Sequence, residues 1–207
     1  MLRIVCKRKI TLPYLLLIIC TFFFASCATT TVTDVWKDKD YQGKAQKIVV
    51  IMAAKSPDMR NMFEDRFVGE LDARENNAFQ SHTIIPMEQL RDKELVKSKI
   101  KSTGADTVLI SRLVDTKTIE SYMPGQIYVV PNFYYGWGSY YDILFVGYGY
   151  TDDIQVAYIE TNLYDVKTEK LIWSTHSKTE RTEGEQQLIN TFINIIIKKL
   201  SSAGIIK

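Results

Sequence analysis

Cysteine is nearly absent from the body of this chain. Three occur in 207 residues, Cys6, Cys20 and Cys27, and none follows residue 27. No disulfide can staple what comes after, so a hydrophobic core must hold it. Histidine is scarcer still, with only His82 and His176. They lie far apart and outside any HExxH or CxxC context, so the sequence assembles no metal site. GxSxG, P-loop and GxGxxG patterns are lacking too. An enzyme reading therefore has no named nucleophile or base, and no cofactor is expected. A basic excess is also missing. The formal charge is +2, but residues 1–26 contain Arg3, Lys7, Arg8 and Lys9 and no acid. Without them, 22 basic residues face 24 acidic ones. That excludes the positive surface a nucleic acid demands. Finally, the apolar run at residues 10–24 is shorter than the ~20 residues of a membrane-spanning helix.

What is present begins with that run. Basic residues 3–9 followed by an apolar stretch of this length match a signal peptide. Phe24-Ala25-Ser26-Cys27 resembles the bacterial lipobox, in which small residues precede an acylated cysteine. The resemblance implies cleavage before Cys27 and lipid attachment, palmitate included, at its thiol. Phe24 stands where Leu is usual, and an ordinary signal peptide with an incidental Cys27 is the competing reading. Several acyl chains hold a protein on a membrane far more firmly than one. Ala28 follows, rather than Asp. By resemblance to Gram-negative lipoproteins, this implies the periplasmic face of the outer membrane. The expected organisation is a leader over 1–26, a lipidated tether over 27–45 with Trp36 its main apolar group, and an α/β domain over 46–204.

Within the domain, Ile48-Val49-Val50-Ile51-Met52 is a β-branched run suited to a strand covered on both faces. Ser56-Pro57-Asp58 starts a helix by cap, fixed φ and charge. Met59, Met62, Phe63, Phe67 and Leu71 then mark its buried stripe, and it fades at Asn76-Asn77. Ala78–Ile85 reads as a strand. Asp92–Thr103 reads as a helix ended by Gly104, and Asp106–Val114 as a buried strand. Residues 153–166 and 170–180 form a hairpin around Lys167-Thr168-Glu169, with Leu171 and Trp173 on one face and Ser174, His176, Lys178 and Glu180 on the other. Thr182-x-x-Glu185 fits a capping box for a last helix over 185–201. That helix is apolar over more than one stripe, so it is deeply buried or shared with a partner. The order β-α-β-α-β, long insertion, β-hairpin, helix predicts an α/β fold with a three-layer mixed sheet.

Three segments carry a resemblance: Ile48–Ile51 leading into the Ser56-Pro57 helix, Gly104-Ala105-Asp106-Thr107-Val108-Leu109-Ile110, and the hairpin Leu163–Ser174 with its Asp165-x-x-Thr168 turn. They resemble the TolB N-terminal domain family and the CsgG lipoprotein family over roughly residues 46–200. Glu169 stands where Gly is usual in that turn. Bacterial envelope lipoproteins with a Trp-Lys-Asp tether and a Tyr/Gly-rich insertion are similar as well. The resemblance brings no catalytic motif.

Residues 122–151 hold eleven of the chain's 24 aromatics and half of its ten glycines. Tyrosine pairs a flat apolar face with a polar tip, which suits partner surfaces and wet interfaces. Tyr134, Tyr135, Trp137, Tyr140, Tyr141 and Tyr148 are the candidate partner-binding residues. Three readings of the segment stand: a loop without a special task, a loop contacting protein or glycan, and a membrane-touching hairpin. Residues 143–150 do not alternate cleanly and Pro131 interrupts the first half, which weighs against a spanning barrel strand. Glu64-Asp65 and Asp152-Asp153 are adjacent carboxylates, expected to be solvated or cap-forming. The leading expectation is a non-enzymatic, lipid-anchored module binding an envelope protein or itself. The alternatives are a subunit of an oligomeric CsgG-like export pore and a cell-wall hydrolase.

Overall fold

A computed structural model of the chain describes residues 30–117, 136, 156–180 and 185–207. Six strands form one mixed sheet. They are β1 (Thr30–Lys37), β2 (Lys47–Ala53), β3 (Asn77–Gln80), β4 (Thr107–Lys117), β5 (Val156–Asp165) and β6 (Leu171–Glu180). The described helices are α1 (Pro57–Asp72), α2 (Lys93–Ser102) and α3 (Glu185–Ser202). The strand order is β1-β6-β5-β4-β2-β3. The β4-β2-β3 part is parallel and the β1-β6-β5-β4 part antiparallel.

The chemistry of each element explains its limits. β2 lies between β3 and β4, and Ile48 through Met52 are all buried, as a two-sided strand requires. Ser56 caps α1 by accepting from the Met59 N–H at 3.5 Å, and Pro57 occupies the first turn. α1 ends at Asp72, ahead of the expected Asn76-Asn77, with Glu75 turned to positive φ just after it. Asp92 caps α2 through the Leu95 N–H at 3.0 Å, and Gly104 follows at φ +70°. Asp106 then accepts from the backbone N–H groups of Gln46 and Lys47, at 2.8 and 3.0 Å, tying the start of β4 to that of β2.

The sheet is covered on both sides, so the architecture is a three-layer α/β fold. On the first face, α1 and α3 pack Phe63, Phe67, Phe192 and Ile196 onto Val50, Leu109, Leu163 and Trp173. Phe63 meets Phe67 and Phe192 with ring centroids 5.7 and 5.6 Å apart. On the second face, Val96 and Ile100 of α2 pack with Ile85 and Leu90 onto Val49, Ile51, Val108 and Ile110.

Three expectations are corrected. Thr30–Lys37 belongs to no free tether: it is an edge strand paired to β6, because backbone pairing at an edge needs little buried side chain. The strand expected over Ala78–Ile85 stops at Gln80, and Ser81–Thr83 makes a 3-10 turn, since the Ser81 hydroxyl is engaged below the sheet. Leu171 and Trp173 lie on opposite faces. A bulge pairs Leu163 with Trp173 but Tyr164 with Leu171, so Ile172 is the extra residue. The last helix, expected to be deeply buried or shared with a partner, is deeply buried: Ile189, Phe192, Ile193, Ile196, Ile197 and Leu200 of α3 pack in the domain's own core. Thr182 lies outside the described residues.

Candidate functional site

Cys27 and the aromatic candidates Tyr134, Tyr135, Trp137, Tyr140, Tyr141 and Tyr148 lie outside the described residues, as do Asp152 and Asp153. Gly136 alone represents the insertion. It is buried at φ +96°, and a Cβ built on it would stand 3.3 Å from the Glu169 carbonyl oxygen. Only glycine fits that approach and that backbone conformation without strain.

The geometry around the insertion is defined by its two roots. Lys117 ends β4 and Val156 begins β5, and the two are directly paired. The described part of the ladder ends at this pair, so residues 118–155 join two positions that a two-residue hairpin turn could connect. The same end of the sheet carries the Val156–Glu180 pair and the Thr30–Thr179 pair. Thr30 is three residues from Cys27. The start of β1 and the two residues that flank the insertion thus lie at one end of the sheet.

The sheet also lines up ionisable groups. Register places Arg112, Glu160, His176 and Asp34 opposite one another across β4, β5, β6 and β1. Opposed residues of a sheet share a face, so this is one rung of ionisable side chains. Arg112 Nε donates to Glu160 Oε2 at 2.7 Å, and Asn162 Nδ2 donates to Glu160 Oε1 at 2.8 Å, all buried. His176 Nδ1 lies 3.0 Å from Asp34 Oδ1, near the surface. Tyr164 continues the row along β5. Burial, and then the Glu160 charge, push its phenol well above the ordinary value.

A second buried ion network joins α1 to the end of β2. Glu64 is fully buried, and its carboxylate accepts from Arg60 Nε at 3.0 Å, Ser81 Oγ at 2.7 Å, and the backbone N–H groups of Met52 and His82 at 3.0 and 2.7 Å. Arg60 also donates to the Ile85 carbonyl at 2.9 Å and to Ser81 Oγ at 2.8 Å. The expectation of a solvated Glu64 is thereby corrected, while Asp65 does face solvent and pairs with His82 Nε2 at 2.8 Å. The signal was present in the sequence. Arg60 and Glu64 fall on the helical stripe that continues through Phe67 and Leu71.

An imidazole beside a carboxylate is half of a catalytic relay, which needs a free hydroxyl or thiol as well. Ser81, next to His82, is buried and spends its proton on Glu64. Among the described residues, no three His, Cys, Asp or Glu side chains gather to hold a metal ion. The large apolar side chains exposed among them are Val35 and Trp36, both on β1. No described helix is long and apolar enough to cross a membrane.

No family model matches the sequence, and no curated protein matches it. Among solved structures, the chain is similar to PelC from Paraburkholderia phytofirmans. A single-substitution variant of that protein is 14% identical with a TM-score of 0.46, over 84% of this chain and 97% of the other. A second PelC structure is 16% identical with a TM-score of 0.45, over 84% and 96%. Both are dodecamers. The likeness concerns the fold alone.

Proposed function

We propose that the chain is a lipid-anchored, non-enzymatic module on the periplasmic face of the bacterial outer membrane, which binds an envelope protein or further copies of itself through the aromatic insertion. One observation carries the reading. The segment richest in tyrosine and glycine joins two residues, Lys117 and Val156, that are already paired. A turn of two residues would close β4 onto β5, and beyond the buried Gly136 the fold gives no reason for eleven aromatics here. The buried charges described above support the same reading, because Arg60, Glu64, Arg112 and Glu160 are all paired inside the core. Such pairs serve structure.

The test is in-cell photo-crosslinking from Tyr135, Trp137 and Tyr148, read by mass spectrometry. Crosslinks to one envelope protein support the module and identify its partner. Crosslinks only between copies support self-association and direct the next measurement to bilayer conductance, where a CsgG-like export pore would register. The absence of crosslinks from all three positions would sink the reading.

A further inference from the structure

β1 differs from the other strands in how it is held. None of its eight residues is buried, and none belongs to either apolar core. Val35 and Trp36 on it are 45% and 37% exposed. β5, two strands in, buries eight of its ten residues. The hold on β1 described by the structure is thus its backbone ladder to β6 with a few polar contacts, and a bulge at Thr33 interrupts that ladder. The Thr33 hydroxyl donates to the His176 carbonyl at 3.1 Å, and Asp34 accepts from the His176 N–H at 3.1 Å. The Thr30 and Thr179 hydroxyls lie 3.0 Å apart. Contacts of this kind exchange for water at small net cost, and the entropy of ordering eight residues opposes them.

The side that β1 covers is equally suited to water. Of the β6 residues paired with it, Ser174 through Thr179 are all polar. Uncovering them exposes hydroxyls, an imidazole and an ammonium group, and leaves both apolar cores in place. Beyond Lys37 the chain is pinned again. The Asp38 N–H donates to the Ile172 carbonyl at 2.9 Å, as the last bond of the edge. Tyr41 packs on the first core, and the N–H of the buried Ala45 donates to the Ile205 carbonyl at 2.9 Å. The segment able to leave therefore ends before Tyr41. In sequence, Thr30 stands three residues from Cys27 and Tyr41 fourteen. Fully extended, three residues reach about 10 Å and fourteen about 50 Å.

We propose that β1 is a releasable strand, which stores most of the length of a membrane tether in the edge of the sheet. With β1 paired, the fold begins within about 10 Å of the acylated residue. With β1 peeled from β6, the intact core can stand off by up to about 50 Å. The proposal rests on the lipid-anchor reading of Cys27 and adds a control on its reach. A load that draws the domain away from the bilayer favours the released form, because that form alone spans the distance.

Hydrogen exchange of the full-length, lipidated protein in phosphatidylcholine vesicles, read by mass spectrometry, tests the release. Thr31 and Lys178 are directly paired, and opposed residues of a sheet stand close enough for a disulfide. No cysteine follows residue 27, so Thr31→Cys with Lys178→Cys gives one defined lock. The expected result is that β1 and the β6 amides bonded to it lose protection together, at least ~100-fold faster than β5. Closing the lock should slow both by at least ~10-fold. Residues 34–37 protected as strongly as β5 would overturn the proposal, and so would fast exchange in β1 that the lock leaves unchanged. Flotation reads the anchor separately. Protein that fails to float with the vesicles, as a Cys27→Ala control does, removes the anchor and the tether with it. Slow exchange in protein that floats removes only the release.

Discussion

Removing the carboxylate of Glu64 is expected to be the most damaging single polar substitution in the described domain. Four donors converge on this fully buried group, one of them the Arg60 guanidinium. In Glu64→Ala, Arg60 is left as an uncompensated buried charge and two backbone N–H groups lose their acceptor. Breaking one partner of a buried pair costs about 3–5 kcal/mol. For a domain of this size the midpoint of thermal unfolding should fall on the order of 10 °C. Glu64→Gln keeps the shape but turns an amide donor toward donors, so it should lie near the same value. The double substitution Arg60→Met with Glu64→Leu removes both charges and should recover most of the loss, because a buried pair adds little net stability over packed apolar groups. Urea titration followed by fluorescence of the buried Trp173 measures all three. A cost below about 1 kcal/mol for Glu64→Ala would show that water reaches the site and refute the reasoning.

The remaining predictions concern single positions. Glu169 adopts φ +60° and pairs with Lys97 at 2.8 Å. Glu169→Ala keeps the strained backbone and loses the pair, whereas Glu169→Gly loses the pair and relieves the strain, so Gly should be the more stable by about 1 kcal/mol in urea titration. Trp173→Ala should cost about 3–5 kcal/mol as a core cavity, while Trp36→Ala, at a partly exposed edge, should cost far less by the same assay. Tyr164 binds its proton more tightly when folded, so its contribution is full below the ordinary phenol range and declines as pH rises beyond it. Stability should fall by up to about 1.4 kcal/mol per pH unit above pH ~10, and Tyr164→Phe should flatten that slope. Replacing residues 118–155 by Asn-Gly should leave the sheet intact by circular dichroism, because Lys117 and Val156 are already opposed.

Elements whose ends are set by local chemistry were legible from the residues. Ser56-Pro57 and Asp92 open helices, Gly104 follows one, and Ile48–Met52 forms a strand buried on both sides. What escaped depends on partners remote in sequence. β1 presents mostly exposed residues and becomes a strand only because β6 offers an edge. The reversal at Leu171 needs the bulge opposite Leu163. Arg60 and Glu64 do fall on the buried stripe of α1, but the groups that satisfy them, Ser81 and the Ile85 carbonyl, are remote in sequence. The Arg112–Glu160–His176–Asp34 rung spans four strands, and no local pattern announces it.

The long connection between the paired Lys117 and Val156 also sets a kinetic order for the chain. β5 and β6 are joined by a tight turn, in which Asp165 accepts from the Thr168 N–H and hydroxyl, and can zip within microseconds. β4 must instead wait until the long excursion brings its ends together, an entropic delay of about 2–3 kcal/mol relative to a two-residue link. In the interval β4 and β5 both present unpaired edges rich in valine, leucine and isoleucine. The aromatic segment therefore lengthens the time for which a nascent chain is adhesive before its sheet is complete.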